Sequence, residues 1–272
     1  MRMRKKPNLL PRMERAGAVL VAEPERWTGR WREMLPGCRA LHVELGCGKG
    51  RFTVETAAAA PAVLLLAVER VPDAMVVAME RATARGLENV RFLDRDVSLL
   101  PEMLAPGEAD RIYINFCDPW PKSRCAKNRL TAPGFLRRYA DVLAPGGEIH
   151  FKTDNLPLFE WSVEQFRAEG WRLRELTNDL HAGGVFQGSA MTDYEAKFVA
   201  EGVRINRLVA EKTAETRCSA DGTPERLRNA SLRDAKGREA SRAAFAAKER
   251  AAAGTAAPEN QTPVAAEGET DR

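Results

Sequence analysis

The sequence predicts an α/β fold with one mostly parallel central sheet and helices on both faces. Short apolar runs alternate with helical stretches from Ala40 to Asp96, which is typical of parallel βα units. A glycine-rich turn, Gly46 to Gly50, follows the first apolar run directly. Acidic residues stand at the ends of several predicted strands, where open α/β sheets bind their ligands. We therefore expect a ligand site at the carboxyl edge of the sheet.

The individual elements follow from apolar periodicity and from the residues that start or stop helices. Pro61 ends the first helix after Ala60, Pro72 suits the first turn of the next helix, and Gly86 stops it. The predicted strands cover residues 41–45, 63–68, 89–93, 111–116, 148–152, 171–176 and 205–209. The predicted helices cover residues 51–60, 72–86, 133–142, 156–169 and 192–201.

Two later signals refine this assignment. Pro145, Gly146 and Gly147 should end the helix over 133–142, ahead of the strand over 148–152. Thr192 and Glu195 have the spacing of a capping box, which predicts that the last helix begins at this point.

Four predicted strands end at or near an acidic residue, namely Glu44, Glu69, Asp96 and Asp118. An acid about 20 residues after a glycine-rich turn is placed to accept hydrogen bonds from ribose hydroxyls. Glycines in such a turn also serve tight packing, so each feature alone is weak. Their regular recurrence favours a nucleotide-like ligand.

The glycine spacing distinguishes between nucleotides. Dinucleotide sites use Gly-x-Gly-x-x-Gly to seat a pyrophosphate, whereas this turn reads Gly-x-Gly-x-Gly and follows Glu44. An acid there would repel a pyrophosphate but accept from a cationic amino group. S-adenosylmethionine has an amino acid end, a ribose and no phosphate, and is the cofactor favoured. Gly46 and Gly48 would let the backbone approach it, with Glu44 toward the methionine end, Glu69 at the ribose and Asp96 by the adenine.

The loop from Asp118 to Leu130 combines a strand-end acid, a stiff turn and positive charge. Prolines flank Trp120 on both sides and restrict the backbone around it. The residues after the second proline include four bases and no acid, which suits phosphate. These bases are Lys122, Arg124, Lys127 and Arg129. A solvated basic turn explains the same loop equally well.

Composition divides the 272 residues into three parts and gives a net charge of +4. Residues 1–39 form a basic N-terminal arm and lead-in, residues 40–210 form the α/β domain, and residues 211–272 form an alanine-rich charged tail. We expect the tail to be disordered or to hold a basic helix within residues 224–250. The chain has no signal-peptide pattern and no run near eighteen apolar residues, so we expect a soluble, cytoplasmic protein.

The five cysteines are scattered and never form a Cys-x-x-Cys pair, and the three histidines are isolated. Neither a disulfide framework nor ligand spacing for zinc is indicated. We predict no metal site.

With these motifs in view, the chain resembles the bacterial tRNA (guanine-N7)-methyltransferase family over residues 1–210. The resemblance rests on five segments. They are Met-Arg-Met-Arg-Lys-Lys at the start, Val-Glu-Leu-Gly-Cys-Gly-Lys-Gly from Val43, Asp-Pro-Trp-Pro-Lys from Asp118, Lys-Thr-Asp-Asn from Lys152, and Thr-Asp-Tyr-Glu-Ala-Lys-Phe from Thr192. It implies a Rossmann-like class I methyltransferase that transfers a methyl group from S-adenosylmethionine to N7 of a guanine in the tRNA variable loop.

The resemblance also implies roles for the matching residues. Cofactor contacts would come from Glu44, Glu69, Asp96 and Asp118, and Asp118 would also be the catalytic residue. Substrate contacts would come from Lys122, Asp154, Thr192, Asp193, Tyr194 and Glu195. RNA contacts would come from Arg124, Lys127 and Arg129. Ser123, Cys125 and Ala126 stand where the family has basic or polar residues, which predicts weaker RNA binding by this loop.

Three other functions remain open at the level of sequence. Asp-Pro-Trp-Pro is similar to the Asp/Asn-Pro-Pro-aromatic loop of methyltransferases that act on exocyclic amino groups. An NAD-dependent dehydrogenase would share the fold but is disfavoured by the glycine spacing. A non-catalytic RNA-binding protein would use the same basic residues without transferring a methyl group.

Overall fold

The structure is a computed structural model that describes residues 6–219. Residues 1–5 of the basic arm and residues 220–272, which include the predicted helix within 224–250, lie outside the described residues. The strands are β1 Ala40–Leu45, β2 Val63–Val68, β3 Val90–Leu93, β4 Ala109–Asn115, β5 Leu143–Thr153, β6 Arg172–Thr177 and β7 Asn206–Glu211. The helices are α1 Leu9–Arg15, α2 Arg51–Ala59, α3 Pro72–Ala84, α4 Leu100–Met103, α5 Pro133–Val142, α6 Leu156–Ala168 and α7 Asp193–Ala200.

All seven strands form one sheet in the order β3-β2-β1-β4-β5-β7-β6. Strands β1 to β5 pair in parallel, and β7 is antiparallel to both β5 and β6. The predicted mostly parallel sheet is confirmed, and the antiparallel β7 is the feature that the sequence did not reveal.

Helices cover both faces of the sheet because successive strand residues point to opposite sides. In β2, Leu64 and Leu66 join the hydrophobic cluster that includes Leu136 of α5. Leu65 between them joins the other cluster, which includes Met75 of α3. This double burial explains why β2 is a continuous apolar run.

Gly50 is required by packing. Its φ is 75°, and a Cβ built there would stand 2.4 Å from Cβ of Ala78 on α3. The start of α2 therefore lies directly against α3. The sequence left open whether each glycine of the turn serves packing or ligand binding. For Gly50, the structure shows a packing role.

The Pro145-Gly146-Gly147 segment follows a helix that ends at Val142, as predicted, but it is not a loop before the strand. It lies within β5, which begins at Leu143 rather than at residue 148. The pairing with β4 shifts register between Ala109 and Arg111, so the segment is accommodated as an irregularity near the start of β5.

The chain before β1 contributes to the core. Trp31 is fully buried, and its Nε1 donates a 2.7 Å hydrogen bond to the carbonyl of Met103. The Val21 N–H donates to the carbonyl of Phe92 at 3.0 Å, which places this segment along the β3 edge. After β7, the chain to Ser219 stays attached, because the Arg217 N–H donates to the carbonyl of Glu169.

Candidate functional site

The carboxyl ends of five parallel strands gather the predicted acids at one edge. Glu44 lies in β1, Glu69 follows β2 directly, and Asp154 follows β5 directly. Asp96 and Asp118 each lie three residues beyond the ends of β3 and β4. Since β1 pairs with both β2 and β4, Glu44 occupies the centre of this edge.

The glycine turn after β1 is held by the acid that follows β2. The carboxylate of Glu69 accepts the N–H of Gly48 on Oε2 and the N–H of Val71 on Oε1, each at 2.9 Å. Gly46 and Gly48 have φ values of 77° and 57°, and a Cβ on either would meet no atom within 4 Å. The turn is thus open toward the outside, unlike Gly50. Burial raises the pKa of Glu69, which the Gly48 N–H opposes.

Glu44 is the most perturbed acid of the site. It is 2% exposed, and its Oε2 accepts the Thr53 hydroxyl at 2.5 Å. Burial raises the pKa of Glu44 to about 7, against the lowering effects of the hydrogen bond from Thr53, the Asn115 amide and the charge of Lys152. This carboxyl can therefore change protonation near neutral pH and would respond to a cation placed beside it.

Asn115 ends β4 beside Glu44 and is 8% exposed. Neither polar atom of its side chain meets hydrogen-bond geometry with any group in residues 6–219, although the amide is close enough to affect Glu44. Buried amides are normally paired, so an unpaired one at a strand end suits a ligand. Sequence reasoning missed Asn115, although its place at the end of an apolar run was visible.

Asp96 lies at the carboxyl edge of the sheet and also caps a short helix. Its Oδ1 accepts the Ser98 N–H at 3.0 Å and the Ser98 hydroxyl at 2.6 Å, and so caps the short 3₁₀ helix Val97–Leu99. Its side chain is 7% exposed.

Asp118 and Asp154 are both exposed and lie close to one thiol. Cys117 has its pKa raised to about 12, mainly by burial, and the charges of Asp118 and Asp154 both act in the same direction. The structure therefore brings the predicted catalytic acid and the predicted substrate-binding acid together at the ends of neighbouring strands.

The loop after β4 is conformationally strained at two non-glycine residues. Phe116 and Trp120 have φ values of 51° and 43°, in the left-handed region. Each such residue costs on the order of 1 to 3 kcal/mol and persists only where surrounding contacts hold it. Strain of this kind recurs at functional loops, and here it brackets Asp118.

The basic residues of the loop separate into two groups. Lys122, Arg124 and Lys127 are exposed on or next to the 3₁₀ helix Ser123–Asn128. Arg129 instead donates to the carbonyls of Pro119 and Trp120 and lies over the ring of Trp161.

The segment before α7 is fixed by a buried ion pair that sequence reasoning missed. Nζ of Lys152 lies 2.7 Å from Oε2 of Glu195, and the two side chains are 4% and 1% exposed. Nζ also donates to the carbonyl of Ala190 at 3.1 Å, and His181 lies 3.1 Å from Oε1 of Glu195. A lysine at the end of an apolar strand was the available signal.

The predicted substrate residues around α7 have different surroundings. The capping box is confirmed: the Thr192 hydroxyl accepts the N–H of Glu195, whose side chain returns the bond. Because Glu195 is buried, it would act on a substrate only by positioning its neighbours. Asp193 is exposed and pairs with Arg81, which also donates to the carbonyl of Lys49 in the glycine turn. Tyr194 is 52% exposed.

An aromatic row connects α7 to the loop after β4. Tyr194 and Phe198 have ring centroids 6.4 Å apart, and Phe198 lies 5.9 Å from the strained Phe116. The exposed Tyr194 is thereby packed toward the same edge as Asp118.

A surface depression of about 490 Å³ lies away from these residues, beside β3, and is lined by Leu20, Trp27 and Arg91 among others. It is wide open and contains none of the clustered acids, so we place the site at the carboxyl edge. Among the described residues, no group of three or more His, Cys, Asp or Glu side chains is arranged to hold a metal ion. No helix within residues 6–219 is long and apolar enough to cross a membrane.

Comparison with known proteins agrees with this geometry. Residues 38–208 match the model of a family described as "Putative methyltransferase" (Methyltransf_4). The chain belongs to this methyltransferase family. Its members use S-adenosylmethionine, so the protein is an S-adenosylmethionine-dependent methyltransferase.

Solved structures show the same fold. The 16S rRNA methyltransferase KamB has a TM-score of 0.51 and 18% identity over 68% of this chain and 92% of its own. An antibiotic-related methyltransferase has a TM-score of 0.50 and 17% identity over 67% and 92%. The seven-stranded sheet with antiparallel β7 is accordingly the class I methyltransferase fold.

The residues at the carboxyl edge fit the cofactor that the family uses. The open glycine turn, the unpaired Asn115 amide and the buried Glu44 stand at the end of β1 and β4. The Glu69 carboxylate accepts backbone N–H groups, and its four lone pairs leave capacity for a ribose hydroxyl.

Proposed function

We propose that this methyltransferase transfers a methyl group to N7 of a guanine in the variable loop of tRNA. The observation that carries the proposal is the placement of two exposed acids, Asp118 and Asp154, beside a turn that exposes Lys122, Arg124 and Lys127. Acids can recognise a guanine edge, while the bases suit the phosphates around it. The resemblance of the five sequence segments supports tRNA as the RNA.

The cofactor-binding part of the proposal assigns one contact to each acid. Glu44 would hold the cationic amino group, Glu69 the ribose hydroxyls, and Asp96 would lie by the adenine. When bound, S-adenosylmethionine supplies an electrophilic methyl group on a sulfonium.

The reaction at guanine N7 requires no proton removal beforehand, because N7 carries a lone pair in the plane of the base. The protein must hold the base in line with the methyl group and stabilise the positive charge that grows on it. Asp118 would accept from the N1 or N2 hydrogens of the guanine and oppose that charge. Asp154 would share the recognition of the base.

A guanine within folded tRNA must leave its stack before it reaches this edge. Tyr194 is half exposed at the end of the aromatic row and would offer a face to the extruded base. Trp120 is the second candidate, on the strained loop itself.

The decisive experiment incubates unmodified tRNA with labelled S-adenosylmethionine and identifies the product nucleoside by mass spectrometry. We expect 7-methylguanosine, its loss when the variable-loop guanine is replaced, and its loss with Asp118→Asn. A methyl group on an exocyclic amine would favour the amino-group methyltransferase. Binding of tRNA without any transfer would favour a non-catalytic RNA-binding protein.

A further inference from the structure

Arg129 closes the turn that carries Asp118. Its Nε donates to the carbonyl of Pro119 at 3.0 Å, and its Nη2 donates to the carbonyl of Trp120 at 3.1 Å. These consecutive carbonyls immediately follow Asp118 and flank the residue with the left-handed φ of 43°. One guanidinium thus satisfies both acceptors of the strained turn and holds its shape.

The same guanidinium is anchored on a different element. Its central carbon lies 4.4 Å from the ring centroid of Trp161 on α6. Helix α6 begins right after the loop that carries Asp154, with Asn155 as its N-cap. Arg129 therefore connects the turn after β4 to the helix after β5, which are the two elements that carry the exposed acids.

The chemistry of this contact is particular to arginine. A planar guanidinium can donate two hydrogen bonds in its own plane while its face lies against an indole, whereas a lysine ammonium is a single point charge without a flat face. Lys122, Arg124 and Lys127 in the same loop are exposed and make no ion pair within residues 6–219. Arg129 differs from them because its guanidinium is bonded to two backbone carbonyls and lies over Trp161.

We propose that Arg129 is a positioning residue that clamps the turn after β4 against Trp161 and so sets Asp118 relative to Asp154. This differs from the RNA contact that the sequence resemblance implied for it. The consequence for catalysis rests on the proposed function, while the clamp itself does not.

The first test measures the clamp without any substrate. Hydrogen exchange of the peptide covering residues 116–128 is compared between the wild-type protein, Arg129→Lys and Trp161→Leu. We expect at least tenfold faster exchange in both variants. The control is Arg167→Lys, the same substitution at an exposed position of α6. It should leave the hydrogen-exchange rate of the peptide at its wild-type value. Wild-type exchange in both clamp variants would overturn the proposal.

The second test separates positioning from RNA binding. With tRNA as the acceptor, Arg129→Lys and Trp161→Leu should each lower kcat by roughly 10- to 100-fold, with tRNA affinity and its salt dependence within about twofold of wild type. The double variant should be little worse than the more damaged single variant, because both remove one clamp. A loss of affinity with a flatter salt dependence, and an unchanged kcat, would identify Arg129 as a phosphate ligand instead.

The two tests keep the clamp and the proposed function apart. If the wild-type protein methylates no guanine N7 in tRNA, the proposed function fails while the exchange experiment still decides the clamp. If tRNA is methylated at N7 but exchange and kcat are unaffected by Arg129→Lys, the clamp fails alone.

Discussion

Glu44 should make cofactor affinity depend on pH. Burial raises the pKa of its carboxyl to about 7, from an ordinary value of 4.5. A cationic amino group bound beside it favours the ionised form and lowers that pKa. Binding must then release a proton wherever free Glu44 is protonated, so the affinity rises as the pH rises toward 7.

The stability of the free protein changes with pH in the opposite direction: it falls as the pH rises. Because the folded-state pKa of Glu44 lies above the unfolded-state value, its protonated form contributes stability that is fully present below about pH 4.5. That contribution is lost as the pH rises through 7. Bound cofactor should remove this loss by compensating the buried charge.

The size of the effect follows from the two titrating groups. With a pKa of about 7, roughly one-tenth of Glu44 is ionised at pH 6 and about half at pH 7. The amino group at the amino acid end of the ligand is mostly charged over that interval. We expect affinity to be about fivefold higher at pH 7 than at pH 6, or about 1 kcal/mol.

Calorimetry with S-adenosylhomocysteine between pH 5.5 and 8.5 would measure this dependence, and buffers of different ionisation enthalpy would count the released proton. Glu44→Gln should flatten the rise, and Thr53→Val should move it to higher pH because the lowering hydrogen bond is lost. Glu69→Gln serves as the comparison: it should lose about 1.5 to 3 kcal/mol of affinity yet keep the rise. A Glu44→Gln protein that still shows the fivefold change would refute the reasoning.

Three further predictions concern other parts of the site. Asp118→Asn should lower methyl transfer by about 100-fold or more while the melting temperature stays near wild type, because the residue is exposed; near-normal turnover would exclude the catalytic role. Arg124→Ala with Lys127→Ala should weaken tRNA binding and flatten the slope of log affinity against log salt by about two units or less; unchanged filter binding across salt concentrations would mean a merely solvated turn. Lys152→Met should destabilise the protein by about 3 kcal/mol in denaturant unfolding, since the buried Glu195 would lose its lysine partner and keep only His181 and the Thr192 N–H, and adding Glu195→Gln should recover part of that loss. A Lys152→Met protein of wild-type stability would show that the pair is not buried in solution.

Local sequence patterns determined most of the architecture. Val63–Val68 and Pro133–Val142 have the bounds expected from the apolar run and from the proline at the helix start. Patterns of this kind depend on near neighbours in the chain, which the sequence displays directly. The same reasoning failed for the start of β5, which is Leu143 and not residue 148, because Leu143 pairs with Ala109 of β4 across a register shift that no local pattern displays.

The sequence also identified the residue types of the candidate site, since acids at strand ends and glycines after β1 are visible without coordinates. It could not distinguish Gly50, which packs against Ala78, from Gly46 and Gly48, which face open space. That difference depends on how closely α2 approaches α3, and no pattern within the turn records it.

Only the tertiary structure decided how charged side chains are used. Lys152 and Glu195 are 43 residues apart and become a buried pair, while Arg129 meets Trp161 across the loop and α6. The sequence of a basic stretch does not show which arginine is exposed to solvent and which one hydrogen-bonds a turn. Its partners come from other elements of the fold, and burial changes a charge from a solvated group into one that must be paired.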